Sequence, residues 1–114
     1  MVSLNKQIFD KLNELKELGI VKSVSYSYPE TFTNLPCITF YEANNSITEF
    51  TEDDEYLSEI NYVIDIWDSL YENTNNIAIK VNEKLKEIGF IREVSYDVPS
   101  ENIKHKFMRF KIIK

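Results

Sequence analysis

Chemistry at a protein site needs particular side chains in reach of one another, and this 114-residue chain holds few of them. There is one cysteine, Cys37, and one histidine, His105. A thiol and an imidazole can act as nucleophile and base when they meet. Here Cys37 directly follows Pro36 at the start of a strand-like run, and His105 sits among lysines on another. The pattern therefore reads as a small buried hydrophobe and a structural strand residue. Zinc motifs need more Cys and His than the chain contains. Five carboxylates, Glu49, Glu52, Asp53, Asp54 and Glu55, crowd within seven residues. A calcium loop needs ligands at alternate positions around a central glycine, which Asp53-Asp54-Glu55 lacks, so this stretch reads as a self-repelling, solvated segment. The only two glycines, Gly19 and Gly89, each follow a helical stretch, which leaves none for a phosphate-cradling loop. No catalytic, cofactor or metal site is expected, and the chain reads as a non-enzyme.

The charge balance narrows the partners. A formal charge of −6 and a pI near 4.8 argue against duplex DNA or an anionic membrane, which need a basic stripe. Most basic residues alternate with acids, as Lys16 does with Glu17 and Lys84 with Glu83. The one basic cluster, Lys104, His105, Lys106, Arg109, Lys111 and Lys114, reads as an exposed strand face that discourages edge aggregation. No apolar run approaches the ~20 residues that span a bilayer. The opening Met1-Val2-Ser3-Leu4-Asn5-Lys6 lacks a secretory core, so a cytoplasmic protein is expected. A length of 114 residues, with 43% apolar and 28% charged side chains, fits one domain over 1–114.

The elements that would position these residues follow from periodicity. Leu4, Ile8, Leu12 and Leu15 share a helical face, which predicts a helix capped by Ser3 and ending at Leu18. Gly19 and Ile20 make a C-terminal corner, and a strand over 21–28 stops at Pro29. A second helix is expected from Asn73 or Thr74 to Ile88, with Ile77, Val81, Leu85 and Ile88 buried. Gly89 and Phe90 repeat the corner, and a strand over 91–98 stops at Pro99. At an offset of 70 residues, Leu15-Lys16-Glu17-Leu18-Gly19 falls on Leu85-Lys86-Glu87-Ile88-Gly89, and Val24-Ser25-Tyr26 on Val94-Ser95-Tyr96. The chain thus reads as two similar helix–strand–strand units, about 4–41 and 74–111, around a central strand over 56–67.

That central strand alternates over twelve residues. Ser58, Ile60, Tyr62, Ile64 and Ile66 make one face, which belongs to the core beneath the helices. Leu57, Glu59, Asn61, Val63, Asp65 and Trp67 make the other. A tryptophan and two aliphatic residues on a water-facing side would be wasteful, so Leu57, Val63, Asp65 and Trp67 are candidates for a subunit interface. A loop folded over this face is the competing reading. Glu42–Ser46 is expected as a turn-rich exit from a strand over 37–41. The fold class predicted is α+β, in the order α-β-β-(loop)-β-α-β-β, with a mostly antiparallel sheet and two helices on one face.

The run Ile64-Asp65-Ile66-Trp67, the helical segment Ile77-Ala78-Ile79-Lys80-Val81-Asn82-Glu83-Lys84-Leu85 and the following Gly89-Phe90 resemble small tail-completion proteins of long-tailed bacteriophages and prophages. That group includes tail terminators and tail-to-head joining proteins. The order of elements extends the similarity over nearly the whole chain, through Leu35-Pro36-Cys37-Ile38-Thr39-Phe40 to Phe107-Met108-Arg109-Phe110. The resemblance implies a non-enzymatic ring, commonly of six copies, that joins tail tube to head connector. It implies assembly in the bacterial cytoplasm and a final place in the virion tail or neck. The acidic run Glu49, Glu52, Asp53, Asp54 and Glu55 would then line a lumen that repels DNA, or make contacts between subunits. The short link from the long strand to the second helix departs from longer relatives. A cytoplasmic module binding a small ligand or regulator is the alternative function for such a fold.

Overall fold

The structure, a computed structural model, describes residues 3–27, 34–50, 56–99 and 102–114. The elements in order are helix α1 (Asn5–Glu17), strands β1 (Ser23–Tyr26), β2 (Cys37–Phe50) and β3 (Tyr56–Asp68), helix α2 (Tyr71–Glu87), and strands β4 (Ile91–Val98) and β5 (Lys104–Ile113). They form one five-stranded sheet in the order β1-β2-β3-β5-β4. β1 runs parallel to β2, and the other three pairings are antiparallel. The class is α+β with a mostly antiparallel sheet, as the patterning predicts.

The core lies between the helices and one face of the sheet. Ile8, Leu12 and Leu15 of α1 and Ile77, Val81 and Leu85 of α2 meet Ile60, Tyr62, Ile64 and Ile66 of β3. Phe40 of β2 and Met108 and Phe110 of β5 complete it. Two ion pairs tie the helices together at the surface, Lys11 to Glu87 at 3.0 Å and Lys84 to Glu14 at 3.8 Å. Exposed pairs of this kind add little to stability.

Several boundaries differ from expectation, each for a physical reason. Ser3 does not cap α1. Leu4 holds the cap position with no side-chain hydrogen bond, and it is buried, so apolar anchoring sets the entry of the helix. α2 starts earlier than expected, at Tyr71. The Thr74 hydroxyl, a candidate cap, instead donates back to the Tyr71 carbonyl at 2.9 Å within the first turn. β1 is shorter than 21–28. The largest correction is at Glu42–Ser46, which is strand and not loop, because β2 continues along β3 to Phe50. Register shifts between Glu42 and Asn44 and between Ile47 and Glu49 absorb the turn-forming residues as bulges. Asn44 donates to Ser46 and Asn45 to Glu42 from their side chains, which leaves their backbones for the ladder.

The two halves share a corner but not a topology. Ile20 and Phe90 donate their backbone N–H to Leu15 and Leu85 at 2.9 and 3.1 Å, around Gly19 (φ +80°) and Gly89 (φ +98°). Beyond the corner they diverge, since β1 pairs parallel to β2 while β4 pairs antiparallel to β5. The two glycines allow an internal comparison. A Cβ at Gly19 would meet nothing within 4 Å, whereas one at Gly89 would meet Ile112 Cδ1 at 3.3 Å. Gly19→Ala is expected to cost about 1 kcal/mol for the left-handed backbone alone. Gly89→Ala should cost more, roughly 2 kcal/mol once Ile112 must shift. Urea unfolding of the two variants checks this, and equal losses would show that Ile112 yields freely.

Candidate functional site

The sheet face away from the helices carries the residues singled out above. Register sets them in rows across the strands. One row runs Cys37, Trp67, His105 and Val98, and the next runs Thr39, Asp65, Phe107 and Tyr96. Cross-strand neighbours on one face interact in pairs, and here the pairs are specific. The Trp67 and His105 rings stack at 3.8 Å and 10°. Trp67 Nε1–H donates to Thr39 Oγ1 at 3.0 Å. His105 Nε2–H donates to Asp65 Oδ1. Tyr96 stacks on Phe107 with centroids 5.0 Å apart.

This network changes what the candidate interface residues can do. Asp65 and Val63 are already buried within the single chain, as is Asn61. Val63 lies between Tyr41 and Arg109, long side chains that shade it, while His105 closes over Asp65. Trp67 is half-buried, and Leu57 near the end of the hairpin remains exposed. A partner would therefore meet Trp67, Leu57 and their neighbours, with Asp65 as a support beneath them. In the acidic run, Glu49 belongs to β2 opposite Leu57. Glu52, Asp53, Asp54 and Glu55 lie outside the described residues.

Cys37 and His105 share a row, but Trp67 stands between them. Two strand spacings of about 4.8 Å keep their side chains roughly 10 Å apart, too far for a nucleophile–base contact. Burial, and secondarily the nearby Asp68 charge, push the Cys37 thiol up to about 11. At pH 8 the folded protein should hold about a hundredfold less thiolate than a thiol at the reference value of 9.0. Alkylation by iodoacetamide is accordingly expected to be slowed at least that much, and to recover in denaturant. Fast labelling of the native protein would show an accessible, activated thiol. Among the described residues no cluster of three or more His, Cys, Asp or Glu side chains is placed to hold a metal ion. No helix among them is long and apolar enough to cross a membrane.

The basic cluster is largely accounted for inside the fold. Lys106 pairs with Asp97 at 3.2 Å and donates to Asn75, Arg109 pairs with Glu93 at 3.4 Å, and Lys104 lies 5.3 Å over the Tyr71 ring. Sequence reasoning missed the contact of His105 with Asp65. Its only trace is that both residues occupy the outward positions of their strands, and strand order was needed to make them neighbours.

No protein-family model matches the chain, and no curated protein matches its sequence. Among solved structures, that of the bacteriophage SPP1 gp17 protein superposes with a TM-score of 0.57 at 20% identity. The match covers 96% of this chain and 88% of that one. The likeness is one of fold.

Proposed function

We propose that the chain is a structural subunit of a phage or prophage tail, a ring-forming tail terminator or tail-to-head joining protein, and not an enzyme. The observation that carries this reading is the match of 96% of the chain to the fold of a bacteriophage protein. The character of the outer face supports it. A stacked tryptophan and exposed aliphatic residues beside a satisfied polar network suit contact with protein better than turnover of a substrate. Cys37, the one candidate nucleophile, is buried with its thiol raised to about 11. In this reading the partners are further copies of the chain, the tail-tube protein and the head connector. The protein assembles in the bacterial cytoplasm and ends in the tail or neck of the virion. The run Glu49, Glu52, Asp53, Asp54 and Glu55 faces the lumen or a neighbouring subunit, where its charge keeps DNA from adhering.

The test is genetic. Disrupting the gene in the phage or prophage that carries it should yield lysates in which electron microscopy finds heads and tails unjoined. Normal numbers of complete, infectious virions would reject the reading. Within it, converting Asp53, Asp54 and Glu55 to lysine should lower infectivity, and unchanged infectivity would remove the acidic run from the proposed path of DNA.

A further inference from the structure

Strand β4 is patterned the wrong way round for its place in the fold. Register sets Arg92, Ser95 and Asp97 on the helix side of the sheet, beside Phe110, Met108 and Lys106. It sets Ile91, Val94, Tyr96 and Val98 on the outer side. A sheet covered on one face turns its apolar residues inward and its polar ones to water. In β4 the polar residues border an open groove of about 520 Å³ against α2, alongside Asn75 and Asn82. The apolar ones point away from the domain, with Ile91 66% exposed, Tyr96 51% and Val94 42%. The Tyr96–Phe107 stack continues this apolar row onto β5. A period-two pattern marks the face that is buried in the working state, and for β4 that is the outer face.

We propose that this outer face packs against the same face of a second copy of the chain across a two-fold axis. The extent of the face favours a second sheet over a peptide or small ligand. Four strands about 4.8 Å apart, with some eight residues each rising about 3.3 Å, present roughly 500 Å² per copy. A pair then buries on the order of 1,000 Å², which reaches the lower bound for specific association. The charges favour a copy of the same face. Glu59 on β3 and Lys111 on β5 lie one row apart, since Lys111 is opposite Asn61 and Glu59 opposite Ile113. A two-fold axis along the strands between β3 and β5 lays each β5 over the β3 of the other copy, and brings Lys111 to the partner's Glu59 twice over. A two-fold contact requires this self-complementarity. Arg109, the other outward cation of β5 in this region, is already matched by Glu93. The choice of a second copy as occupant rests on reading the chain as an assembly subunit, but not on the phage tail.

Sedimentation equilibrium from about 5 µM to about 500 µM tests the contact, a range that brackets the association expected of so small an interface. The wild type should show a concentration-dependent dimer. Tyr96→Asp should weaken it tenfold or more. Glu59→Lys and Lys111→Glu should each weaken it, and the double reversal should return it to within about threefold of wild type. Both are surface changes away from the core, so they keep the test informative if Tyr96→Asp unfolds. A monomer throughout the range, a dimer indifferent to these changes, or reversals whose losses simply add would overturn the proposal. The virion test is independent of it. A dimer with these responses alongside normal virions would reject the tail role and keep the face, and the converse result would do the opposite.

Discussion

His105→Ala should lower the unfolding free energy by roughly 3 kcal/mol, although the residue lies on the sheet face that carries no helices. The reason is what it leaves behind. Asp65 is fully buried, and one of its carboxyl oxygens is met by His105. The other, Oδ2, has no hydrogen-bond partner among the described residues. Removing the imidazole strands a buried polar group with no partner at all, which costs far more than the contact itself contributes. The ring also supports Trp67, so its stack is lost together with the hydrogen bond. The double variant Asp65→Ala/His105→Ala should be less destabilised than the sum of the single variants, by about 1–3 kcal/mol, because the second change removes the orphan made by the first. Urea unfolding of the four proteins measures this cycle. Additive losses would mean that the two residues act independently.

This pair also marks how far the sequence could be read. Helix faces were legible because apolar residues recur at 3.6-residue spacing, and Ile8, Leu12, Leu15, Ile77, Val81 and Leu85 are buried as that spacing predicts. The long strand was legible for the same kind of reason, at period two. Glu42–Ser46 was misread because Asn44, Asn45 and Ser46 have turn chemistry, and only the presence of β3 alongside makes a bulged strand the better state. Which outward residues would touch was hidden altogether. Asp65 and His105 are forty residues apart, and they meet because β5 inserts between β3 and β4. Strand order is set by non-local packing, which no local pattern encodes. The same insertion explains why Trp67 is a poor choice for a mutation meant to affect an interface alone. Its indole is bonded to Thr39 and stacked on His105, so Trp67→Ala would disturb the monomer as well.

Tyr62 is the second position where a large effect is expected, and its effect depends on pH. The ring is fully buried at the centre of β3, edge-on to Phe90 at 6.0 Å and tilted against Phe40 at 6.5 Å. Its hydroxyl donates to the side chain of Asn5 at the start of α1. Tyr62→Ala should cost about 3–5 kcal/mol through lost burial and the cavity left behind. Tyr62→Phe is the more informative change. Burial first, and then the charge of Glu42, push the phenol from 10.0 up to about 12. Between those values the unfolded chain releases a proton that the folded chain keeps, so rising pH favours unfolding. Below pH ~9 the hydroxyl is protonated in both states and adds no slope; by pH 12 the loss reaches roughly 2 kcal/mol. Phenylalanine gives up the hydrogen bond, about 1 kcal/mol at neutral pH, but has no proton to lose. The two stability curves should therefore converge above pH 10 and cross before pH 12. A difference between wild type and Tyr62→Phe that stays constant from pH 7 to about 11.5 would show that the buried hydroxyl titrates alike in the folded and unfolded chains.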